Sequence, residues 1–177
     1  NCPGRNAIAV AELTLGLLLA LDRRIPDNVS AIRGGRWEKK DFSRARGLAG
    51  RTLGLIGAGR IGAEVAARAR AFGMRVIGWS RSLDAERGAE VGIEPRSSPG
   101  AVLAEADVVS LHLALTDDTR GLIGAKELAL LRPGAMLLNT ARAGLIDEAA
   151  LLLALDEQDL RVGLDVLAEE PAGGSAA

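Results

Sequence analysis

The residues of this 177-residue chain with the clearest chemical potential are three glycines, Gly57, Gly59 and Gly62. They are spaced G-x-G-x-x-G in the stretch Arg51-Thr-Leu-Gly-Leu-Ile-Gly-Ala-Gly-Arg-Ile-Gly62. A first glycine permits a tight turn, a second lets the backbone approach a pyrophosphate, and a third lets a helix pack close to the preceding strand. Context decides whether such a pattern binds anything. Here residues 53–56 are an apolar run before the turn, and Ile61, Val65, Ala69 and Phe72 recur at helical spacing after it. A helix over residues 60–72, ended by Gly73 in a left-handed conformation, aims its free N–H groups and positive dipole end at the turn. A second apolar run, 74–79, follows. Strand, glycine turn, helix and strand in this order predict dinucleotide binding, with Arg60 and Ile61 in the helix's first turn.

The end of that second strand bears on the choice of cofactor. An acidic residue there would accept hydrogen bonds from the ribose 2′-hydroxyl of NAD. The sequence has Trp79-Ser80-Arg81-Ser82 instead. Without a carboxylate to repel it, a 2′-phosphate can be held by Arg81 and the hydroxyls of Ser80 and Ser82, so the stretch leans to NADP. Asp84 keeps NAD open.

The elements that must position these residues alternate in type. Residues 8–21 are the most apolar run and read as a buried or interface helix, with Arg23 and Arg24 at its C-terminal end and Pro26 as its stop. Residues 27–46 are polar and show no strand or helix period; Trp37 in their midst anchors either a surface loop or a second subunit. From residue 51 onward, strands are expected at 53–56, 75–79, briefly 91–94, 107–112, 135–139 and 162–166. Helices are expected at 60–72, from Ser98-Pro99 to 105, at 126–131, and at 148–155 behind an Asp147 cap. Such alternation predicts an α/β, Rossmann-type, doubly wound parallel sheet with helices on both faces. The expected organisation is an interface helix and dimerisation arm over 1–46, a dinucleotide-binding domain over 47–171 and a tail over 172–177.

Composition excludes several classes. A formal net charge of −1 and a pI near 5.9 give no basic footprint for nucleic acid or an anionic membrane. The apolar run at 8–21 is shorter than the roughly 20 residues a bilayer span needs. One cysteine, Cys2, rules out an internal disulfide framework and fits a reducing cytoplasm. No metal-ligand cluster is apparent, and none is expected.

Six motifs then occur in order: Gly57-Ala-Gly-Arg-Ile-Gly62, Ser110-Leu-His-Leu-Ala-Leu-Thr116, Thr119-Arg-Gly-Leu-Ile123, Arg132-Pro-Gly-Ala135, Asn139-Thr-Ala-Arg-Ala-Gly144 and Leu164-Asp-Val-Leu-Ala-Glu-Glu-Pro171. With them the chain resembles the D-isomer-specific 2-hydroxyacid dehydrogenases, the family of D-3-phosphoglycerate dehydrogenase and glyoxylate/hydroxypyruvate reductase. The resemblance covers nearly the whole chain but only the family's cofactor-binding half. It implies that the chain is the middle of a longer enzyme whose split substrate domain lies elsewhere.

The resemblance also implies roles. Arg142 matches the catalytic arginine; a planar guanidinium can grip the carboxylate of a 2-oxo acid bidentately and polarise its carbonyl. Glu170 matches the acid that pairs with the catalytic histidine and raises its pKa. That histidine belongs some twenty residues beyond Glu170 by the family pattern, in a segment this chain lacks. His112, the single histidine, matches a position beside the cofactor. Leu113, Thr116 and Thr119 match the loop on the adenine or ribose side, Thr140 and Ala141 the loop before Arg142, and Asp165 the residue near the nicotinamide carboxamide. Two departures stand out: Ala143 and Ala114 occupy positions where the family commonly has glycine and proline.

Three functions follow as alternatives. One is the NAD(P)-binding domain of a D-2-hydroxyacid dehydrogenase, expected to bind dinucleotide yet to have negligible reductase activity by itself. Another is a dinucleotide-sensing module of the C-terminal-binding-protein corepressor type. The third is a structural module that no longer binds cofactor. The apolar helix and the Trp37 arm match the region through which family members dimerise, so a homodimer is expected.

Overall fold

The computed structural model describes residues 6–43 and 45–168. The chain opens with α1 (Ala7–Arg23), whose buried positions Ala7, Ala11, Thr14, Leu15, Leu18 and Asp22 recur every three or four residues and so form one stripe. Arg24 ends it by taking a left-handed conformation (φ 51°). Its side chain is held by Asp27, 2.9 Å from Nε, and lies over the Phe42 ring. Pro26 is therefore not the stop expected from sequence. It lies in the first turn of α2 (Ile25–Arg33), where an amide hydrogen would have no helical partner anyway.

Residues 27–46 also differ from the expectation of an aperiodic arm, because they contain most of α2 and all of α3 (Lys39–Phe42). The helical period is present in α2: Ile25, Val29 and Ile32 fall at i, i+4 and i+7 on one face, which stays exposed while Ala31 alone is buried. Trp37 is 77% exposed and so is not anchored on this chain's own core.

Beyond the arm come β1 (Thr52–Ile56), α4 (Arg60–Ala71), β2 (Arg75–Trp79), α5 (Ala85–Val91), β3 (Glu94–Pro95), α6 (Pro99–Glu105), β4 (Val108–Leu111), α7 (Ala125–Leu128), β5 (Met136–Asn139), a 3-10 turn (Ala143–Leu145), α8 (Glu148–Glu157) and β6 (Arg161–Leu164). Helix starts follow their caps: Ser98 and Asp147 accept hydrogen bonds from the backbone of Ala101 and Ala150. Gly73, at φ 75°, follows α4 as expected, but Phe72 lies beyond the helix and is 44% exposed.

The six strands form one all-parallel sheet in the order β3-β2-β1-β4-β5-β6. Side chains alternate across it. Val108, Met136 and Leu138 join Leu15, Leu18, Val65 and Ala69 on the face covered by α1 and α4. Val109, Leu111 and Leu137 join Val102, Leu103, Leu128 and Leu151 on the face covered by α6, α7 and α8. Helices on both faces explain why the central strands are apolar throughout rather than alternating with polar residues. No helix among the described residues is long and apolar enough to cross a membrane.

The N-terminal edge of the sheet holds a buried ion pair. Arg51 lies 3.1 Å from Asp22, with the two side chains 3% and 1% exposed. Arg51 also donates to the Asp107 carbonyl, and Asp22 accepts from Gly47 N–H. The pair ties the end of α1 to the start of β1.

Candidate nucleotide-binding site

Strand order reverses between β1 and β4, so the crossovers leave β1 in opposite directions and a crevice opens at the C-terminal edge. The register there is flush. Trp79, Ile56, Leu111, Asn139 and Leu164 pair across five neighbouring strands in one row. The next residue on each strand is Ser80, Gly57, His112, Thr140 or Asp165. Five candidates separated by up to 108 positions in the chain (165 − 57 = 108) thus stand side by side on one edge.

The glycine turn is built as its spacing suggests. Gly57 has φ 109°, and a Cβ there would lie 2.5 Å from the His112 carbonyl oxygen. A Cβ on Gly62 would collide with the carbonyl oxygen of Gly57, so α4 can begin this close to β1 because that position has no side chain. A Cβ on Gly59 would meet nothing within 4 Å. The open space at Gly59 faces a helix start with no side-chain cap, leaving the first N–H groups of α4 available to an anion.

A cavity of about 320 Å³ adjoins the turn. Gly57, Gly59, Ser80, Arg81, Ser82, His112, Leu113, Thr116 and Thr119 all line it. Its walls also include Trp79, Ala114, Asp118 and Leu122, of which sequence reading had singled out Ala114 alone. Asp118 carries no periodic or motif signal that would have revealed it. Thr119 holds the loop's shape: its hydroxyl accepts from Thr116 N–H at 2.8 Å and donates to the Ala114 carbonyl at 2.7 Å. Burial pushes the His112 imidazole down to about 4, so the ring is neutral near pH 7.

Arg142 does not line this cavity. It projects from the loop after β5, on the same sheet edge but two strands from the glycine turn, and it is exposed. Its Nη1 donates to the Ala141 carbonyl at 2.6 Å. Asn139 folds that loop, accepting from Ala141 N–H and donating through Nδ2 to the Arg142 carbonyl. Sequence reading quoted Asn139 within a motif without giving it this task; asparagine as the last residue of a strand is the usable signal. The loop is in turn fastened to the cavity wall, because Gly121 N–H donates to Gly144 and Ile123 N–H to Leu145, at 2.8 and 3.0 Å. Thr140 points inward, its hydroxyl 2.9 Å from that of Thr14. Arg60 and Ile61 begin α4 beside the turn. Asp165 is exposed, with its N–H donating to the Asn139 carbonyl. Glu170 lies outside the described residues.

The sequence profile described as "D-isomer specific 2-hydroxyacid dehydrogenase, NAD binding domain" matches residues 15–176. The chain belongs to this family. Among its relatives, the D-3-phosphoglycerate dehydrogenase of Methanocaldococcus jannaschii is 44% identical over 172 residues, covering 97% of this chain and 33% of that protein. The glyoxylate reductase of Thermococcus litoralis is 42% identical over 178 residues, covering 97% and 54%. A solved Granulicella formate dehydrogenase superposes with a TM-score of 0.90 at 31% identity, covering 97% of this chain and 47% of that one. The chain therefore spans between a third and about half the length of these relatives, and what it spans is the NAD-binding domain of a D-2-hydroxyacid dehydrogenase.

The residues present fit the dinucleotide that this family's domain binds. An uncapped helix start, an open approach at Gly59 and a polar cavity wall at Ser80–Ser82 are what a pyrophosphate with its attached riboses requires.

Proposed function

We propose that this chain is the cofactor-holding half of an NAD(P)-dependent oxidoreductase acting on a small 2-oxo or 2-hydroxy acid. The observation that carries the reading is the flush C-terminal edge, which gathers the glycine turn, the cavity wall and the Arg142 loop on one side of the sheet. In this reading Gly57, Gly59 and Gly62 with the first turn of α4 hold the pyrophosphate, and Leu113, Thr116 and Thr119 shape the wall beside it. When bound, the nicotinamide supplies or accepts the hydride. Arg142 holds the carboxylate and polarises the carbonyl of the acid, Thr140 and Ala141 set its loop, and Asp165 stands near the carboxamide. Glu170 pairs with the histidine that family members use for proton transfer. His112 is assigned to the cofactor wall, and the chain by itself binds dinucleotide without appreciable turnover. The relatives carry dehydrogenase and reductase names, which supports this reading over a corepressor.

NADP is the favoured cofactor. Ser80, Arg81 and Ser82 line the cavity where an NAD-selective acid would stand. Asp84, the alternative carboxylate for NAD, is engaged as the N-cap of α5, accepting from Arg87 N–H at 2.8 Å. A homodimer built on α1, α2 and the arm is supported by the exposure of Ile8, Leu13, Ile25, Val29, Ile32 and Trp37. The single cysteine of the chain suits a reducing cytoplasm.

Fluorescence titration of the purified chain with NADPH and with NADH tests this reading. Saturable binding with NADPH tighter is expected; failure of both to bind defeats the function, and a clear preference for NADH defeats the NADP assignment. Turnover of a 2-oxo acid by the isolated chain would contradict the assignment of His112, and a monomer at micromolar concentration in light scattering would contradict the dimer.

A further inference from the structure

Strands β2 and β4 are the two neighbours of β1, so the segments leaving them flank the glycine turn on opposite sides. Arg81 stands in the cavity wall that follows β2, and Asp118 in the wall that follows β4. The buried His112 ring is neutral near pH 7, which leaves these two as the charged side chains among the described residues of the lining. They do not neutralise one another. Among the described residues, no ion pair engages either of them.

Position 118 is held to its wall by the residues around it. The Thr119 hydroxyl accepts from Thr116 N–H and donates to the Ala114 carbonyl, and Arg120 N–H donates to the Thr116 carbonyl. Gly121 N–H then fastens the end of the loop to Gly144. The preceding residue, Asp117, carries the same charge on the same loop but does not line the cavity.

A dinucleotide laid on the glycine turn places its adenosine ribose at the end of β2, beside Ser80, Arg81 and Ser82. NADP brings a 2′-phosphate there, with a charge of about −1.5 to −2, where NAD brings a neutral hydroxyl. A cavity of about 320 Å³ keeps its walls within about one Debye length of each other, ~10 Å at 0.1 M salt. The 2′-phosphate is therefore in the field of both walls, attracted by one and repelled by the other.

We infer that Asp118 is a specificity-determining residue whose carboxylate opposes the 2′-phosphate that Arg81 attracts, so that the cavity prefers NADP by less than its cation alone would give. The inference rests on the dinucleotide reading of the cavity and adds a second wall to the choice of cofactor. Both cofactors share the pyrophosphate, so its repulsion by Asp118 cancels in the ratio of their affinities. What remains in that ratio is the effect on the 2′ substituent.

Fluorescence titration of the purified chain with NADPH and with NADH reads the ratio directly. Asp118→Asn keeps the side chain's shape and removes its charge. It is expected to raise the NADPH-to-NADH affinity ratio about three- to tenfold at low salt, with the gain shrinking as salt rises. Arg81→Gln is expected to lower the same ratio. Asp117→Asn removes an equal charge from outside the cavity and is expected to move the ratio less than Asp118→Asn does. Each ratio is taken on one protein sample, so a misfolded fraction does not alter it. An unchanged ratio in Asp118→Asn overturns the inference, and so does an equal change in Asp117→Asn. A ratio raised only because NADH binds more weakly overturns it too, since the carboxylate would then be holding the ribose hydroxyls. An Arg81→Gln ratio equal to wild type does the same by placing the 2′-phosphate away from that wall. In all four cases nucleotide still binds and the dinucleotide reading stands. Failure of the wild type to bind either nucleotide defeats that reading, and this inference with it.

Discussion

The hydroxyl of Thr14 in the first helix lies 2.9 Å from the hydroxyl of Thr140, 126 positions later in the chain. Thr14 also donates to the Val10 carbonyl at 2.8 Å, which uses its one proton. Thr140 must then be the donor in the pair, and Thr14 the acceptor. The bond fastens α1 to the loop that carries Arg142, from the side opposite Asn139. The two isosteric replacements therefore differ. Thr14→Val strands a buried donor on Thr140 and should cost about 1–3 kcal/mol, whereas Thr140→Val removes that donor and should cost about 1 kcal/mol or less. Urea unfolding of both variants checks the order; equal losses, or a larger loss for Thr140→Val, would show the donor assignment to be wrong.

Two glycines of the turn should separate folding from binding. At Gly59 the backbone has φ −74° and a Cβ has open space, so Gly59→Ala should leave stability within about 0.5 kcal/mol of wild type. The same methyl would stand where a pyrophosphate approaches, and nucleotide affinity should fall by about tenfold or more. Gly62→Ala places its methyl against the Gly57 carbonyl and should cost about 1–3 kcal/mol in stability before any nucleotide is added. Thermal melts with and without NADPH measure both. Wild-type affinity in Gly59→Ala would move the phosphate site away from this turn.

The ion pair between Arg51 and Asp22 lies at the other end of the sheet and bears on stability alone. Burial lowers the Arg51 pKa, and the carboxylates of Asp107 and Asp22 oppose that shift. Asp22→Ala leaves a buried guanidinium without its carboxylate partner at 3.1 Å and should cost about 3–5 kcal/mol. Adding Arg51→Met to Asp22→Ala should recover much of that loss, because the uncompensated charge is gone. Denaturant midpoints of the single and double variants decide; a double variant no more stable than Asp22→Ala would show that packing, not charge, sets the penalty.

His112 should make stability depend on pH in a defined window. Its folded pKa is about 4 against an ordinary value of 6.5, so between these values the unfolded chain binds the proton more readily. The contribution of the neutral ring is complete above about pH 6.5, shrinks as pH falls toward 4, and changes no further below that. Its size is on the order of 3 kcal/mol. Comparison of wild type with His112→Gln by urea unfolding at pH 7 and pH 4.5 isolates it from carboxylate titration. The variant should lose less stability on acidification than the wild type; parallel losses would mean the ring titrates normally.

The helix and strand pattern from residue 51 onward was legible in the sequence because its signals are local. Gly57, Gly59 and Gly62 announce a turn by spacing, Ser98-Pro99 and Asp147 announce helix starts by capping chemistry, and the apolar runs announce buried strands. The arm was less legible: the i, i+4, i+7 spacing of Ile25, Val29 and Ile32 is helical but spans only two turns, and Pro26, which lies in the first turn of that helix, reads as a stop. At the site, Arg81 and His112 could be named from sequence, but Asp118 could not, because its place in the wall depends on how the loop after β4 folds back.

Sequence alone thus determined which residue types are available, a phosphate-ready turn ahead of a helix and an arginine after a later strand, since each depends on neighbours a few bonds away. Tertiary structure decided that Ser80, Gly57, His112, Thr140 and Asp165 stand abreast, because strand order and register are set by packing on both faces of the sheet rather than by any one segment. It also decided that His112 stands 2.9 Å from the Ser110 hydroxyl with its other ring nitrogen sealed from solvent, surroundings that hold its pKa down.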